Sequence, residues 1–537
     1  MKKLSILLAS IIMLISVAPV ATAEQWVPVG MSQEQSYDRG KIGGEGCQYT
    51  ECIAASETNP DFLMGATDVG GIFRSYDHGE TWERCNNELE VKGACEILID
   101  PKNEKHIVLF GVTVGNAGAN GIFMSTDGAD SWKKVMPYSA GCQTDNRDSF
   151  AFDPTSYDPA TGMCMRIFWS SPYRTRSLVS TSPKALYKSE DGGFTWNAIP
   201  NTEHLWDADL AFSDKGELYI GGQGGFYISS DQGKTFNKIL DDWTLSVDYI
   251  SKRPENVYLS TWDKVMISTD SGRSFDIIEG TEVLPKYGKE PKENRHFNDH
   301  FGFRHFNVSP VNPDHMVISC GIASYNWLRW MSQDGGKTWY QGEVEYLDTQ
   351  VHYSTRFSYG EWSHKDENTV FSSGGDWFTK STNGGLTYRK ASHGLNVFMS
   401  YTLTINYHNP DLMLNVGQDY GGFGSYDGGE TWTYAVTNPV HRGGSTHNGL
   451  IVSEDFAFCI AGKDNSTAFN PKIRNIEREL RIARGYHNLH FKPTGLMTET
   501  HMCYQSQNDE NILFAGVLRS TDRGETWTKM EGCRGVI

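Results

Sequence analysis

The sequence predicts an all-β fold, a β-propeller of about ten four-stranded blades, from three observations. First, nine segments repeat the pattern Ser-x-Asp-x-Gly-x-Thr-Trp with lapses, starting at Ser75, Ser125, Ser189, Ser229, Ser268, Ser332, Ser381, Ser425 and Ser520. Their spacing runs 50, 64, 40, 39, 64, 49, 44 and 95 residues. Second, apolar residues alternate in paired runs upstream of the motif, joined by Asn-Pro-Asp type turns, as in CIAASETNPDFLMGATD and TLTINYHNPDLMLNVGQD. A period of two bounded by turn residues marks strands rather than helices. Third, 38% hydrophobic and 12% aromatic content over 537 residues is too apolar for a disordered chain, and the Gly is not periodic as in collagen.

The first element is not part of the fold. Lys2 and Lys3 precede an apolar run from Leu4 to Val20, and Ala21-Thr22-Ala23 supplies a small-x-small cleavage site. This reads as a bacterial secretory signal over 1–23, with the propeller occupying 24–537. The run is short for a membrane span, and no later stretch is long enough. The expectation is a secreted or periplasmic protein without membrane insertion. The balance of 48 basic and 66 acidic residues, net −18, argues against nucleic acid and anionic membranes as partners, since both require a basic face. Among the ten cysteines, Cys47/Cys52, Cys85/Cys95 and Cys142/Cys164 are candidate local disulfides, whereas Cys320 and Cys459 sit in apolar runs and read as buried thiols. No Cys/His spacing matches a zinc site, so no metal and no cofactor are expected.

The repeated box has the chemistry of a tight turn. Its Asp accepts bonds from turn amides and from the Ser and Thr hydroxyls, and its Gly takes positive φ. Its terminal aromatic starts the next strand and is expected to be buried under the turn. Each unit thus comprises four strands, and a four-stranded unit of 40–50 residues repeated around an axis is a propeller blade. The 95-residue step is about two units long, so a degenerate blade is expected near 440–495, with NIERELRIARG from Asn475 as the single helical stretch. Nine boxes and one degenerate unit give ten blades, arranged either as one closed ring or as part of a two-propeller protein.

These segments resemble Asp-box (BNR) repeats, which occur in sialidases, xyloglucanases, sortilin-type receptors and photosystem assembly factors. The resemblance covers nearly the whole chain after the signal. It specifies the fold, while function must be sought in the site, because those families do unrelated things on one scaffold.

Ligands bind propellers at the mouth of the central channel. The second strand of several units ends there, at Asp68, Thr113, Gln223, Asp263, Asp376 and Asp419. Asp68 and Asp419 share closely matching contexts, TDVGGIFRS and QDYGGFGS. GATDVGGIFRS and VGQDYGGFGSYD resemble two motifs of the tandem-propeller xyloglucanases of glycoside hydrolase family 74. That resemblance implies an inverting hydrolase of a β-glucan such as xyloglucan, with Asp68 as general base and Asp419 as general acid. Two carboxylates flanking the glycosidic bond, far enough apart to admit a water, are what inversion requires. The second motif departs from the family, with Gln-Asp-Tyr in place of Gly-Asp-Val/Ile, and the chain is shorter.

Aromatic residues fall near the same register: Trp169, Trp206, Trp262, Trp327, Trp377 and Tyr420. With Asp376 they are candidate platforms for a sugar ring, whose CH face stacks on indole or phenol. A His/Arg-rich segment, ENRHFNDHFGFRHF, adds His300 and Arg304 as candidate substrate ligands. With a tyrosine such as Tyr353, these residue types also suit a lyase acting on a uronate-containing polysaccharide. The readings are therefore glycoside hydrolase, polysaccharide lyase and non-catalytic propeller binding a glycan or a protein.

Overall fold

A computed structural model describes residues 50–68, 70–113, 117–139, 149–172, 182–286, 302–320, 329–344, 359–373, 377–395, 400–417, 421–437, 446–462 and 478–533. The signal segment, Cys47, Cys142, His300, Trp327, Tyr353, Asp376, Asp419 and Tyr420 lie outside these residues.

The boxes fold as their residues dictate. In the first, Ser75 Oγ donates to Asp77 Oδ1 at 2.7 Å, and Thr81 donates from its amide and hydroxyl at 2.8 and 2.5 Å. The Gly79 amide closes the turn on Ser75 Oγ at 2.9 Å. Gly79 has φ 79°, and a side chain there would press on Leu63 and Phe371. The pattern recurs in the other boxes, with Asn383 standing in for Asp in the seventh. Such bonding holds the carboxyls low: Asp231 and Asp334 are brought down to about 2, first by the Thr235 and Thr338 hydroxyls. Of the closing aromatics, Trp82, Trp132 and Tyr388 are buried. Trp196, Phe236, Phe275, Trp339 and Trp527 are half-buried against the clusters between blades, short of the full burial expected. The indole has a bond to make as well as a wedge to fill, as where Trp196 and Trp339 donate to the carbonyls of Gly193 and Gly336 in their own turns.

Each box joins the third strand of a blade to the outermost. The first blade runs Thr50–Ala55, Leu63–Thr67, Ile72–Ser75 and Glu83–Arg84, hydrogen-bonded antiparallel in that order. Ten sheets of this kind occur among the described residues, and we number the blades 1–10 by their innermost strands. These are Thr50–Ala55, Gly93–Asp100, Phe150–Phe152, Asp209–Phe212, Ser246–Asp248, Phe303–Val308, Tyr359–Trp362, Ser400–Ile405, Thr446–Ser453 and Cys503–Gln505. Blade 7 gains a short parallel strand, Glu343–Val344, on its outer edge. Blade 9 is the degenerate blade, lacking a box but keeping all four strands.

The ten blades do not form one ring. Blade 7 packs against blade 1 through a cluster of Ile53, Leu63, Phe73, Trp82, Phe371, Phe378 and Leu395. The seam is stitched by Trp82 Nε1 donating to Ala391 O at 2.8 Å, Thr50 Oγ1 to Trp377 O at 3.3 Å, and Lys380 pairing with Glu80 at 2.7 Å. Seven blades therefore close a ring. Blades 8, 9 and 10 pack on one another instead, through Leu414, Ile451 and Cys459 at one interface and Phe458, Leu480 and Leu513 at the next. Of the two arrangements left open by the repeat count, the single ring of ten is not the one adopted.

Two further expectations change. The stretch read as helical is a strand, Arg478–Arg484. Its charged residues favour helix by propensity, but Leu480 and Ala483 are buried in the blade and Glu479 and Arg481 are buried by specific partners. Glu479 accepts the Gly495 amide at 2.7 Å, and Arg481 Nη1 donates to Thr437 O at 2.6 Å. Cys85 is a free thiol rather than half of a Cys85–Cys95 disulfide. It packs among residues between blades 1 and 2, while Cys95 faces blade 3. Cys320 and Cys459 are buried thiols, as read from their apolar runs, and burial pushes the Cys320 thiol up to about 12.

Candidate active site

Antiparallel pairing divides the ring into two faces. The start of each innermost strand lies beside the end of the second strand, as where Thr50 pairs with Thr67. One face therefore carries the turns between second and third strands, and the other carries the boxes. Asp68, Thr113, Gln223 and Asp263 all follow second strands, so the shared register read from the sequence holds for these four.

Asp68 immediately follows Leu63–Thr67 and is only 2% exposed. Its turn is cinched on both sides of the residue. Thr67 N and Oγ1 both donate to Gly71 O, at 3.0 and 3.3 Å, and Gly70 N donates to Thr67 Oγ1 at 2.7 Å. Asn86 Oδ1 accepts the Ile72 amide at 2.8 Å and fixes the exit of the loop. Blade 2 presses on the same turn through Gly93. A Cβ there would stand 1.9 Å from Thr67 O and 2.8 Å from Asp68 O, so the approach needs a glycine. Asp68 is thus a recessed carboxylate on a rigid backbone. Asp263, by contrast, is exposed, and its carboxylate accepts the Thr261 hydroxyl at 3.3 Å within its own turn.

The aromatic candidates separate by burial. Trp169 is 0% exposed, stacked on Phe150 and packed by Phe110, Tyr138 and Tyr187 between blades 2 and 3. Trp377 is 5% exposed, with the Lys390 ammonium 5.3 Å from its ring. Trp206 and Trp262 are half-buried on the Asp68 face. Trp206 lies under the Lys184 ammonium at 4.3 Å, and the Trp262 carbonyl accepts the Phe303 amide at 3.3 Å.

Arg304 belongs to an innermost strand rather than to the long loop before it, and is 3% exposed. It sits at a β-bulge between Phe303 and His305. Blade 1 has the same irregularity between Thr50 and Cys52, and the residue there is Glu51, fully buried. Bulges re-aim side chains and gather beside sites. Glu51 was not singled out from the sequence; the signal was a carboxylate inside the apolar run TECIAA. Glu51 and Arg304 thus occupy matching places on blades 1 and 6, the two neighbours of blade 7.

A cavity of about 240 Å³ lies in the central channel, but at the opposite end, where the first and second strands turn. Glu57, Lys102, Asp214, Asp248, Glu361 and His364 line it. Burial pushes the Asp248 carboxyl up to about 7, against a bond from the Val308 amide at 2.7 Å, and also raises Glu57. Burial pulls His364 down, but Glu361, Glu57 and Asp248 outweigh it and leave the imidazole raised. Among the described residues no group of His, Cys, Asp and Glu has the geometry of a metal site, and no helix is long and apolar enough to cross a membrane.

No family model matches the chain. Over 213 residues it is 29% identical to a xyloglucanase of Acetivibrio thermocellus, a match taking in 36% of this chain and 24% of that enzyme. Over 388 residues it is 22% identical to an oligoxyloglucan-reducing end-specific xyloglucanase of Emericella nidulans, taking in 63% of this chain and 45% of that enzyme. The matched segments thus span from about a quarter to under half the length of these relatives. The solved GH74 xyloglucanase of Xanthomonas campestris superposes with a TM-score of 0.55 at 14% identity, over 91% of this chain and 87% of that one. An ancestral GH74 enzyme superposes at 0.63, also at 14% identity, over 93% and 69%. Xyloglucanases are homologues of this chain in sequence, and its β-propeller is the fold of the GH74 enzymes.

Proposed function

We propose that the chain is a secreted glycoside hydrolase that cleaves the β-glucan backbone of xyloglucan with inversion. The observation that carries the reading is the similarity to xyloglucanases of a bacterium and a fungus, together reaching up to 63% of the chain. The position of Asp68 agrees with it in kind. Asp68, as general base, would take a proton from the water attacking the anomeric carbon. Asp419, as general acid, would protonate the leaving oxygen. Inversion sets the two carboxyls about 6.5–9.5 Å apart. A base must hold its position while the sugar moves toward the oxocarbenium-like transition state, and the Thr67–Gly71 cinch and the Gly93 contact supply that rigidity. Trp206 and Trp262, half-buried on the same face, suit stacking of backbone glucosyl rings.

The test is reducing-end release from xyloglucan. Asp68→Asn and Asp419→Asn should each lower kcat by about 10²–10⁴-fold, the range expected for a lost acid or base. With an aryl glycoside whose leaving group needs no proton, Asp419→Asn should recover and Asp68→Asn should not. Full activity in either variant on xyloglucan would defeat the assignment.

A further inference from the structure

Blade 9 lacks a box, and what stands in its place is a pair of exposed aromatic residues. The third and fourth strands of this blade, Arg478–Arg484 and Lys492–Thr498, are joined by the turn Gly485-Tyr486-His487-Asn488 and the residues that follow it. Backbone bonds close this turn without a Ser/Asp/Thr set. Gly485 N donates to Asp455 O at 2.8 Å, His487 N to Glu454 O at 2.7 Å, and Asn488 N to Gly485 O at 3.1 Å. Asn488 Nδ2 adds a bond to Arg484 O at 2.7 Å. Neither ring at 486 or 487 takes part in these bonds.

The rings do something else. His487 is parallel to Tyr486 at 4.0 Å and 11°, and to Tyr426 at 3.9 Å and 16°. Only a sandwich allows both distances, so the order is Tyr486, His487, Tyr426. Tyr426 is the second residue of the neighbouring box in blade 8 and forms the half-buried base of the stack. Tyr486 is its outer member, 72% exposed, with one ring face covered by the imidazole and the other open. His487 holds φ at 50°, a left-handed conformation costly for a non-glycine residue, and the Glu454 carbonyl fixes it there. The Glu454 and Asp455 side chains are exposed on the adjoining turn of the same blade.

We infer that this stack is a glucan-docking platform separate from the catalytic face, with Tyr486 as the surface on which a pyranose ring lies. A flat, pre-ordered aromatic face, with the exposed Glu454 and Asp455 on the adjoining turn, matches the two kinds of surface on a β-linked glucose, apolar CH groups on its faces and hydroxyls at its rim. The ring is already immobilised by the stack, so binding loses little side-chain freedom. The platform lies on the box side of its blade, away from the turns between second and third strands. It would hold a polymer on the enzyme without occupying the cleft. The inference rests on the reading of the chain as glucan-acting.

The experiment is native affinity electrophoresis in gels containing soluble xyloglucan, in an Asp68→Asn background so that the polymer is not cut. Tyr486→Ala should weaken retardation about 3–10-fold, and Tyr486→Phe, which keeps the flat face, should match the background protein. Equal retardation of Tyr486→Ala overturns the platform. A loss in Tyr486→Phe as large as in Tyr486→Ala overturns stacking as its basis. The same substitutions in the Asp68 protein separate this from the catalytic reading. Tyr486→Ala should lower hydrolysis of dilute polymer while leaving hydrolysis of short xyloglucan oligosaccharides unchanged. A protein that hydrolyses nothing, yet shows Tyr486-dependent retardation, would defeat the hydrolase proposal and leave the platform standing.

Discussion

The two faces of the seven-blade ring use aspartate in opposite ways. On the box face, each Asp is saturated by its own turn: Asp77 accepts Ser75 Oγ, Thr81 N and Thr81 Oγ1. On the other face, Asp68 is buried at the end of an inner strand, and its turn is tied by Thr67 and Gly71 around it. The difference teaches what to look for in a repeat protein. A carboxylate repeated in every copy of a turn that it closes is structural, whereas one that stands at the end of an inner strand, in a turn tied by its neighbours, is the place to look for chemistry.

The largest effect should come from setting the two aspartates against each other. Asp68→Asn should lower xyloglucan hydrolysis by about 10²–10⁴-fold with little change in melting temperature. Asp77→Ala should do the reverse, costing about 1–2 kcal/mol of stability in denaturant titration while the activity of the folded fraction is kept. A large loss of stability in Asp68→Asn would erase the contrast.

Next comes the support beneath Asp68. Gly93→Ala places a methyl group against the carbonyls of Thr67 and Asp68, and backbone must move to admit it. The expected cost is about 1–3 kcal/mol, with kcat falling more than KM rises because the base is displaced. Unchanged kinetics would show that the turn has slack.

The smallest effect should appear in the pH dependence of stability. Asp248 is raised to about 7, so between its ordinary value near 3.8 and 7 the folded protein holds a proton that the unfolded chain has released. Stability from this group is therefore full in acid and is lost as pH rises toward 7. The boxes act at the other end, since the contribution of Asp231 and Asp334 is present above their ordinary value near 3.8 and is lost as pH falls from there through about 2. Asp248→Asn retains an acceptor for the Val308 amide and should raise the melting temperature at pH 8 more than at pH 4. An equal shift at both pH values would show that the Asp248 carboxyl is not raised in the folded protein.

Much of the fold was written in the boxes, because a Ser-x-Asp-x-Gly-x-Thr turn has one way to satisfy its donors and each copy marks a third and fourth strand. The doubled step located blade 9, found at Thr446–Thr498. Ring closure at blade 7 was not legible. The 44-residue step from Ser381 to Ser425 looks like any other, and what ends the ring is the fit of Phe371 and Phe378 against Phe73 and Trp82, from opposite ends of the ring's sequence. The strand at 478–484 was hidden for a related reason, since the partners that bury Glu479 and Arg481 are at Gly495 and Thr437. The place of Asp68 in the fold, just after a second strand, was legible through its glycines and the shared register. Glu51 did not stand out, because a lone carboxylate in TECIAA marks no register until the bulge between Thr50 and Cys52 is seen.

The central claim is that this chain cleaves xyloglucan with a water activated on the Asp68 side. It is tested most directly by following the anomeric protons of the new reducing ends by NMR during hydrolysis of xyloglucan. The account predicts that the α-anomer appears first and then mutarotates, with no product absorbing in the near ultraviolet. Initial formation of the β-anomer, or of an unsaturated absorbing product, would contradict it.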